Sequence, residues 1–329
     1  MHGAGDMPEL NLDLQLELVV HAVTALTPAI KAFVLRSASG APLPPFTPGA
    51  HLSVQVMQPN GRSGQRAYSL AKPHDGSDRC EIAVLHEPQG AGGSAWMHQL
   101  VQGAQLRAHA PRNDFALHTG SAAPLLVAGG IGITPLLCMA RALAAEGRAF
   151  DFFYATRSEQ ATAYIDEVRA LGGTLVHDGG DPSRGLDLRA VLASPVPGRH
   201  LHVCGPRGMV QAVVDTARTL RWPDDHVHFE LFAGALEQSG DAPFEVRTLR
   251  SGKTLTVAPE QSLLDVLIAA GLDPLYDCRQ GDCGVCAVDV VQGVPDHRDH
   301  NLSPREKADG KTICTCVSRA KTPQLVLDI

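Results

Sequence analysis

Five cysteines crowd the end of the chain. Three of them, Cys278, Cys283 and Cys286, stand at Cys-x4-Cys-x2-Cys spacing, and Cys314 and Cys316 follow well downstream. Three thiolates from one tight loop and a fourth from a segment packed against it can hold two tetrahedral irons as a [2Fe-2S] cluster of the plant-type spacing. The chemistry is one-electron transfer. Gly281 and Gly284 lie inside the loop Cys278-Arg-Gln-Gly-Asp-Cys283-Gly-Val-Cys286 and leave room for backbone N–H groups to approach bridging sulfides. A structural zinc site more often pairs two short knuckles, so one compact triplet with a remote thiol fits iron and sulfide better. Thr312 to Val317 reads as a short strand with Cys314 and Cys316 on the same side, so alternation does not choose the fourth ligand.

Two further segments carry chemistry. The apolar run Pro124 to Ala128 leads into Gly129-Gly-Ile-Gly-Ile-Thr-Pro135 and then an apolar helix. Free N–H groups at such a turn favour a pyrophosphate, with Thr134 expected as N-cap and Pro135 at the first helical position. The third glycine of Gly-x-Gly-x-x-Gly is missing, and a lone glycine turn is also a common strand-to-helix connection. A second apolar strand, His200-Leu-His-Val, ends in Cys204-Gly205-Pro206, which would put the thiol at the carboxyl edge of a sheet; a buried structural cysteine is the plain alternative. Upstream, Arg66-Ala67-Tyr68-Ser69-Leu70 sets Arg66 and Tyr68 on one strand face and Ser69 on the other. A guanidinium can clamp phosphate while an aromatic ring covers a flat cofactor. Gly90-Ala-Gly92-Gly93-Ser94 is another glycine turn, capped by a hydroxyl and suited to a second phosphate.

The elements around these motifs divide the chain. Residues 17–117 are short alternating runs broken by Pro and Gly, the signature of an antiparallel barrel. From Ala123, apolar strands alternate with helical stretches near Thr134, Ala161 to Leu171 and Gly208, which argues a parallel sheet with crossover helices. The small, polar stretch 234–243 reads as a linker, and 244–329 as the cluster domain. The expected domains are thus 1–118, 119–233 and 244–329. A chain of 329 residues, 44% hydrophobic, is ordinary for globular protein, and no apolar run reaches the length of a membrane span. The polar start lacks a signal peptide's pattern, so a cytoplasmic protein is expected, and a monomer is the expected state. The net charge is −7, and residues 234–329 are the most acidic part, with 10 Lys and Arg against 14 Asp and Glu. No basic stripe suggests nucleic acid.

In this order the motifs resemble the phthalate dioxygenase reductase family, which includes the reductases of vanillate O-demethylases. Arg66-x-Tyr68-Ser69-Leu70, Gly92-Gly93-Ser94, Pro111-Arg-Asn-Asp-Phe115, Val127 to Pro135, Cys204-Gly205-Pro206, His228-Phe-Glu230 and the cysteine loop carry the resemblance across nearly the whole chain. It implies an antiparallel β-barrel for the flavin, an α/β parallel-sheet domain for NAD and a C-terminal β-grasp [2Fe-2S] ferredoxin domain. It also implies FMN, its phosphate held by Arg66 and Gly92 to Ser94, with Ala67, Tyr68 and Ser69 beside the ring. Ser69, Cys204 and Glu230 are expected around flavin and nicotinamide, with Phe232 stacked on the isoalloxazine. Gly130, Gly132, Thr134, Pro135, Arg157, Cys204, Gly205 and Pro206 are expected to bind NADH, although Arg157 could also favour the phosphorylated nucleotide. The segment Cys316-Val-Ser-Arg-Ala-Lys resembles the family's fourth-ligand strand, which completes a set of Cys278, Cys283, Cys286 and Cys316. The implied function is electron transfer from NADH through FMN and the cluster to a Rieske non-haem iron oxygenase. A cytochrome P450 acceptor is the alternative, and a redox sensor without turnover a more distant one.

Overall fold

The computed structural model describes residues 14–57, 63–88, 92–193, 195–232, 241–259, 261–276, 281, 284–299 and 301–329. They fold into two compact units, Met1–Leu231 and Phe232–Ile329. The expected boundary near residue 118 falls inside the first unit. Most of the expected linker 234–243, its residues 234–240, lies outside the described residues.

The first unit begins with six strands: β1 (Gln15–Thr27), β2 (Ile30–Ser37), β3 (His51–Met57), β4 (Ser63–Ser69), β5 (Arg79–Leu85) and β6 (Gln105–His109). They form one sheet of order β4-β3-β6-β1-β2-β5, antiparallel throughout, and a bridge between Leu70 and Ile82 brings its two ends together as a barrel. Alternation dictates this: Leu18, Val20, Phe33, Leu35, Leu52, Val54, Val56 and Ile82 all turn inward and are almost fully buried. The short helix α1 (Gly93–Gln99) closes one side, with Met97 in the core.

The same unit continues with β7 (Leu125–Gly129), α2 (Ile133–Ala145), β8 (Asp151–Thr156), α3 (Ile165–Ala170), β9 (Thr174–His177), α4 (Leu188–Val191), β10 (Leu201–Cys204), α5 (Arg207–Thr219) and β11 (Val227–Glu230). The five strands are parallel, in the order β11-β10-β7-β8-β9. β7 and β10 are buried along their whole length, as central strands covered on both faces must be. Register pairs Cys204 with Ala128 on one side and with Glu230 on the other, so these residues share the carboxyl edge of the sheet.

Thr134 is not the N-cap of α2. A 3-10 turn, Gly130–Gly132, runs directly into the helix, which begins at Ile133 with Gly132 as cap. The Thr134 hydroxyl instead donates back to the Ile131 carbonyl at 3.2 Å. Pro135 therefore sits at the third helical position, still within the first turn, where its missing N–H leaves no bond unmade.

The second unit contains β12 (Phe244–Thr248), β13 (Thr254–Val257), α6 (Leu263–Ala269), β14 (Ala287–Gln292), β15 (Pro295–Asp296), α7 (Pro304–Asp309), β16 (Thr312–Cys314), β17 (Arg319–Ala320) and β18 (Gln324–Leu327). The main sheet, β13-β12-β18-β14-β16, packs its apolar face on α6 through Leu263 and Leu267, the β-grasp arrangement. Ser262 caps α6 by accepting the Asp265 N–H, and Ser303 with Glu306 forms a capping box on α7. Buried Arg319 donates to four carbonyls, those of Ala242, Ala258, Pro259 and Gln261. Arg298 grips Asp241 with both Nη atoms, which ties the start of this unit to its β15–β17 corner.

Candidate functional site

Three residues far apart in sequence meet at the carboxyl edge of the parallel sheet. The Ser69 hydroxyl at the end of β4 donates to Glu230 Oε2 at 3.4 Å, and the Cys204 thiol lies 4.0 Å from the same oxygen. Cys204 is completely buried, and Ser69 and Glu230 are each only 4% exposed. Burial first, and then the neighbouring Glu230 carboxylate, push the Cys204 thiol well above its ordinary value. The thiol is therefore protonated at neutral pH and acts as a weak donor rather than a nucleophile.

The glycines around this group are required by packing. A Cβ on Gly132 would lie 2.3 Å from the Cys204 carbonyl oxygen, and one on Gly205 would lie 2.9 Å from the Gly129 Cα. The turn after β7 and the Cys204-Gly205-Pro206 turn after β10 are thus packed backbone on backbone. Gly130 is different: it adopts φ +53° with open space around the missing Cβ, and its carbonyl accepts the Tyr154 hydroxyl at 3.0 Å. A cleft of about 320 Å³ opens beside it, bordered by Gly130, Ile131, Thr156, Arg157 and Ser158 from the parallel-sheet side and by Thr27 to Ile30 from the barrel. Gly130 and Arg157 thus reach a cavity. Gly132, Thr134 and Pro135 are buried behind it. Glu159, close to Arg157, is paired with Arg169 at 2.9 Å.

On the barrel, Arg66 and Tyr68 share a face and pair with Val54 and Leu52 of β3, while Ala67 points to solvent on the other face. The Arg66 side chain crosses the start of α1, where a Cβ on Gly93 would lie 3.0 Å from Arg66 Cγ. Gly92, at φ +87°, turns the chain into that helix, and the Ser94 hydroxyl accepts the Glu87 N–H at 3.0 Å. Burial raises the Tyr68 phenol to about 12, with Arg66 opposing, so the ring stays neutral. A cation beside a bare glycine turn and a neutral aromatic ring suits the phosphate and the flat ring of a flavin. Phe232, two residues beyond Glu230, is half-buried and opens the second unit.

In the second unit, Cys286 and Cys316 are 2% and 3% exposed, and their sulfurs are 3.2 Å apart. Cys314 is also buried in this cluster. Hydrogen bonds from Cys314 and then Cys316 hold the Cys286 thiol far below its ordinary value, with burial opposing. The strand holding Cys314 is shorter than its sequence suggests. It ends at Cys314, and Thr315–Val317 forms a turn, fixed where Thr315 donates twice to the Cys286 carbonyl. Cys314 and Cys316 are therefore not neighbours on one strand face. Gly281 (φ +88°) and Gly284 (φ +72°) are left-handed, and a Cβ at either would collide with Val317 or Asn301. Cys278 and Cys283, and the flanking Asp277 and Asp282, lie outside the described residues. Closely set buried thiols beside a glycine-shaped loop suit iron and sulfide.

Several contributors have no motif to announce them. Asp299 is 2% exposed, accepts from the Leu302 N–H and the Ser318 hydroxyl, and braces the loop that covers Gly281. At the amino ends of β10 and β11, His118, His200, His202, His226 and His228 stack ring on ring. His200 and His202 fall in a run that the sequence marks as an apolar strand, but nothing in the sequence announced the stack.

The comparisons with known proteins agree with this geometry. Residues 246–321 match the 2Fe-2S iron-sulfur cluster binding domain family. The chain is 40% identical over 309 residues to a phthalate dioxygenase reductase of Burkholderia cepacia, covering 91% of this chain and 93% of that protein. It is 38% identical over 320 residues to a vanillate O-demethylase oxidoreductase of Pseudomonas sp. (strain HR199 / DSM 7063), covering 95% of this chain and all of that protein. A solved phthalate dioxygenase reductase, described as a modular structure for electron transfer from pyridine nucleotides to [2Fe-2S], superposes with a TM-score of 0.78 at 38% identity, over 96% of this chain and 98% of that one. With barrel, parallel sheet and cluster domain in the same order and the identity running almost end to end, the chain belongs to the phthalate dioxygenase reductase family.

Proposed function

We propose that this protein takes electrons from NADH and passes them through FMN and a [2Fe-2S] cluster to a Rieske non-haem iron oxygenase. The observation that carries the reading is the gathering of Ser69, Cys204 and Glu230 at one sheet edge, in a chain of this family. Arg66, Gly92, Gly93 and Ser94 would hold the FMN phosphate, with Ala67, Tyr68 and Ser69 along the ring and Phe232 stacked on it. Gly130 and Arg157 would line the nucleotide cleft. Gly132, Thr134, Pro135, Gly205 and Pro206 would shape it from behind. Cys278, Cys283, Cys286 and Cys316 would ligate the cluster. Residues 1–118, 119–233 and 244–329 would be the three functional domains of a monomer.

A bound flavin accepts two electrons together from a nicotinamide and returns them one at a time, which the cluster requires. The protein supplies geometry. Cys204, kept protonated by its burial, would add no second negative charge beside the Glu230 carboxylate at the edge where a nicotinamide would lie. Glu230 Oε2 accepts the Ser69 hydroxyl proton and so fixes the direction of Ser69 Oγ, the atom able to hold or pass a proton beside the ring. Near-complete burial of all three excludes water from this point.

The test is an anaerobic NADH titration of the purified protein followed by visible absorption, with metal analysis and identification of the released flavin. Bleaching of both flavin and cluster bands, with FMN released and iron and sulfide present, is the expected result. Zinc in place of iron would overturn the reading, and FAD would correct the flavin. Reconstitution with a purified Rieske oxygenase, and separately with a cytochrome P450, identifies the acceptor.

A further inference from the structure

Arg141 lies on α2, two turns past the helix start, and only 15% of its side chain is exposed. Its guanidinium donates to the carbonyl of Ala71 at 2.5 Å and pairs with Glu167. Ala71 is fully buried and stands two residues after Ser69. The N–H of Ala71 donates to the Glu81 carbonyl at 2.8 Å, so the segment leaving Ser69 is gripped from both sides. Glu81 is itself 7% exposed, and its carboxylate takes the Tyr164 hydroxyl at 3.0 Å and Lys72 Nζ at 2.8 Å, with Arg141 at 3.9 Å. The Arg141 guanidinium also lies over the Tyr164 ring, 5.6 Å from its centroid. Tyr164 adopts φ +57°, a left-handed conformation that a side chain of this size keeps only when its surroundings impose it.

The other end of α2 is fixed to Cys204, because Gly132, its N-cap, packs on the Cys204 carbonyl with no room for a Cβ. α2 is therefore a rigid strut. One end rests on the turn after β10, and one turn before the other end Arg141 holds the chain immediately after Ser69. We propose that Arg141 is a positioning residue: through the Ala71 carbonyl it sets Ser69 relative to Cys204 and Glu230, with Glu81 and Tyr164 fixing the guanidinium. The claim rests on the role given to those three residues above. An arginine is needed because its planar fork serves Ala71, Glu81 and Glu167 at once, which a lysine's single ammonium cannot.

The experiment compares the full chain with Arg141→Met, Arg141→Lys and Tyr164→Phe. Hydrogen–deuterium exchange over residues 69–72 is read in protein stripped of flavin, and kcat and KM for NADH are read in the flavin-loaded protein with ferricyanide as acceptor. A misplacement of about 1 Å can cost on the order of 10²-fold, and a loosened hydrogen-bonded segment less than that. Arg141→Met is expected to raise exchange at 69–72 and lower kcat about ten-fold, with KM changed less than about two-fold. Arg141→Lys, which keeps one donor, is expected to recover about three-fold of that loss. Unchanged kcat, or a fall in kcat with wild-type exchange at 69–72, overturns the proposal. Should Arg141→Met not fold, Tyr164→Phe carries the same prediction at about three-fold, and no effect there overturns it. Ser69→Ala separates the two layers. If it leaves kcat unaltered, the role given to Ser69 itself fails. If it slows turnover while Arg141→Met does not, only the positioning role fails.

Discussion

Ser69 and Glu230 stand 161 residues apart in the chain, yet their side chains meet, whereas Cys286 and Cys316, which also meet, are separated by only 30. The first unit builds its reactive group by bringing a barrel strand against the carboxyl edge of a parallel sheet. The second builds its own from one loop and the turn that follows a neighbouring strand. A group assembled locally tolerates change elsewhere in its unit but fails outright when one ligand is lost. A group assembled over distance fails by degrees, as its supports loosen.

The largest effect should therefore come from the cysteines. Cys316→Ser is expected to leave the protein without iron and inorganic sulfide, with the flavin retained, while Cys314→Ser keeps both. Both thiols hydrogen-bond to Cys286, so the pair of variants is a sharp discriminator. A protein that keeps its cluster as Cys316→Ser and loses it as Cys314→Ser would move the fourth ligand to the strand itself.

The contrast also explains what could be read in advance. Cysteine spacing and the glycines at 281 and 284 encode a local object, and alternation encodes barrel and sheet. Both readings needed only near neighbours in the chain. Alternation put Cys314 and Cys316 on one strand face and so did not choose the fourth ligand; that the strand is cut short at Cys314, by a turn that Thr315 pins to the Cys286 carbonyl, is not announced by the residues around it. Thr134 was misplaced as a cap for a related reason: the 3-10 turn before α2 takes over the capping position, and nothing in the local residue types separates it from an ordinary glycine loop. The glycines of that turn suggested phosphate binding, yet Gly132 is bare because the Cys204 backbone passes against it, and Gly129 because Met209 Sδ and the Pro206 ring occupy the space a Cβ would need. Arg141, Glu81 and the histidine stack had no local signature at all.

An intermediate effect is expected at the distributed group. Glu230→Gln keeps the shape but removes the charge that orients Ser69 Oγ, and it should lower kcat for NADH oxidation about 10²-fold, or roughly 3 kcal/mol in the barrier. The cluster's absorption should be unaltered. Steady-state turnover with ferricyanide reads the first quantity and the visible spectrum the second. Equal kcat in Glu230→Gln and wild type would reduce the carboxylate to packing.

The smallest effect lies in the first unit's histidines and concerns stability. The His228 ring stacks on His118 with centroids 4.1 Å apart, and its Nε2 meets His200 Nδ1 at 2.9 Å. Burial first, and then His118, His200 and His226, lower His228 to about 4, with only Asp225 acting in the other direction. His202, which packs against His228 at 4.8 Å, is lowered too. The folded state thus refuses a proton that the unfolded chain accepts near its ordinary value of 6.5. Stability is full above that pH, declines as pH falls toward about 4, and levels off below. Because the His228 ring is partly open to solvent, its share is on the order of 1–2 kcal/mol rather than the full shift. His228→Gln removes one competing proton site, so its loss of stability between pH 7.5 and pH 4.5 should be smaller than wild type's by about that amount. Both tryptophans, Trp96 and Trp222, belong to the first unit, so urea unfolding followed by tryptophan fluorescence reads this unit alone. Parallel pH profiles for the two proteins would mean that the stack is already protonated or open in solution. A flatter profile for His228→Gln would show that protonation at the amino ends of β10 and β11, whose far ends carry Cys204 and Glu230, costs the first unit stability in acid.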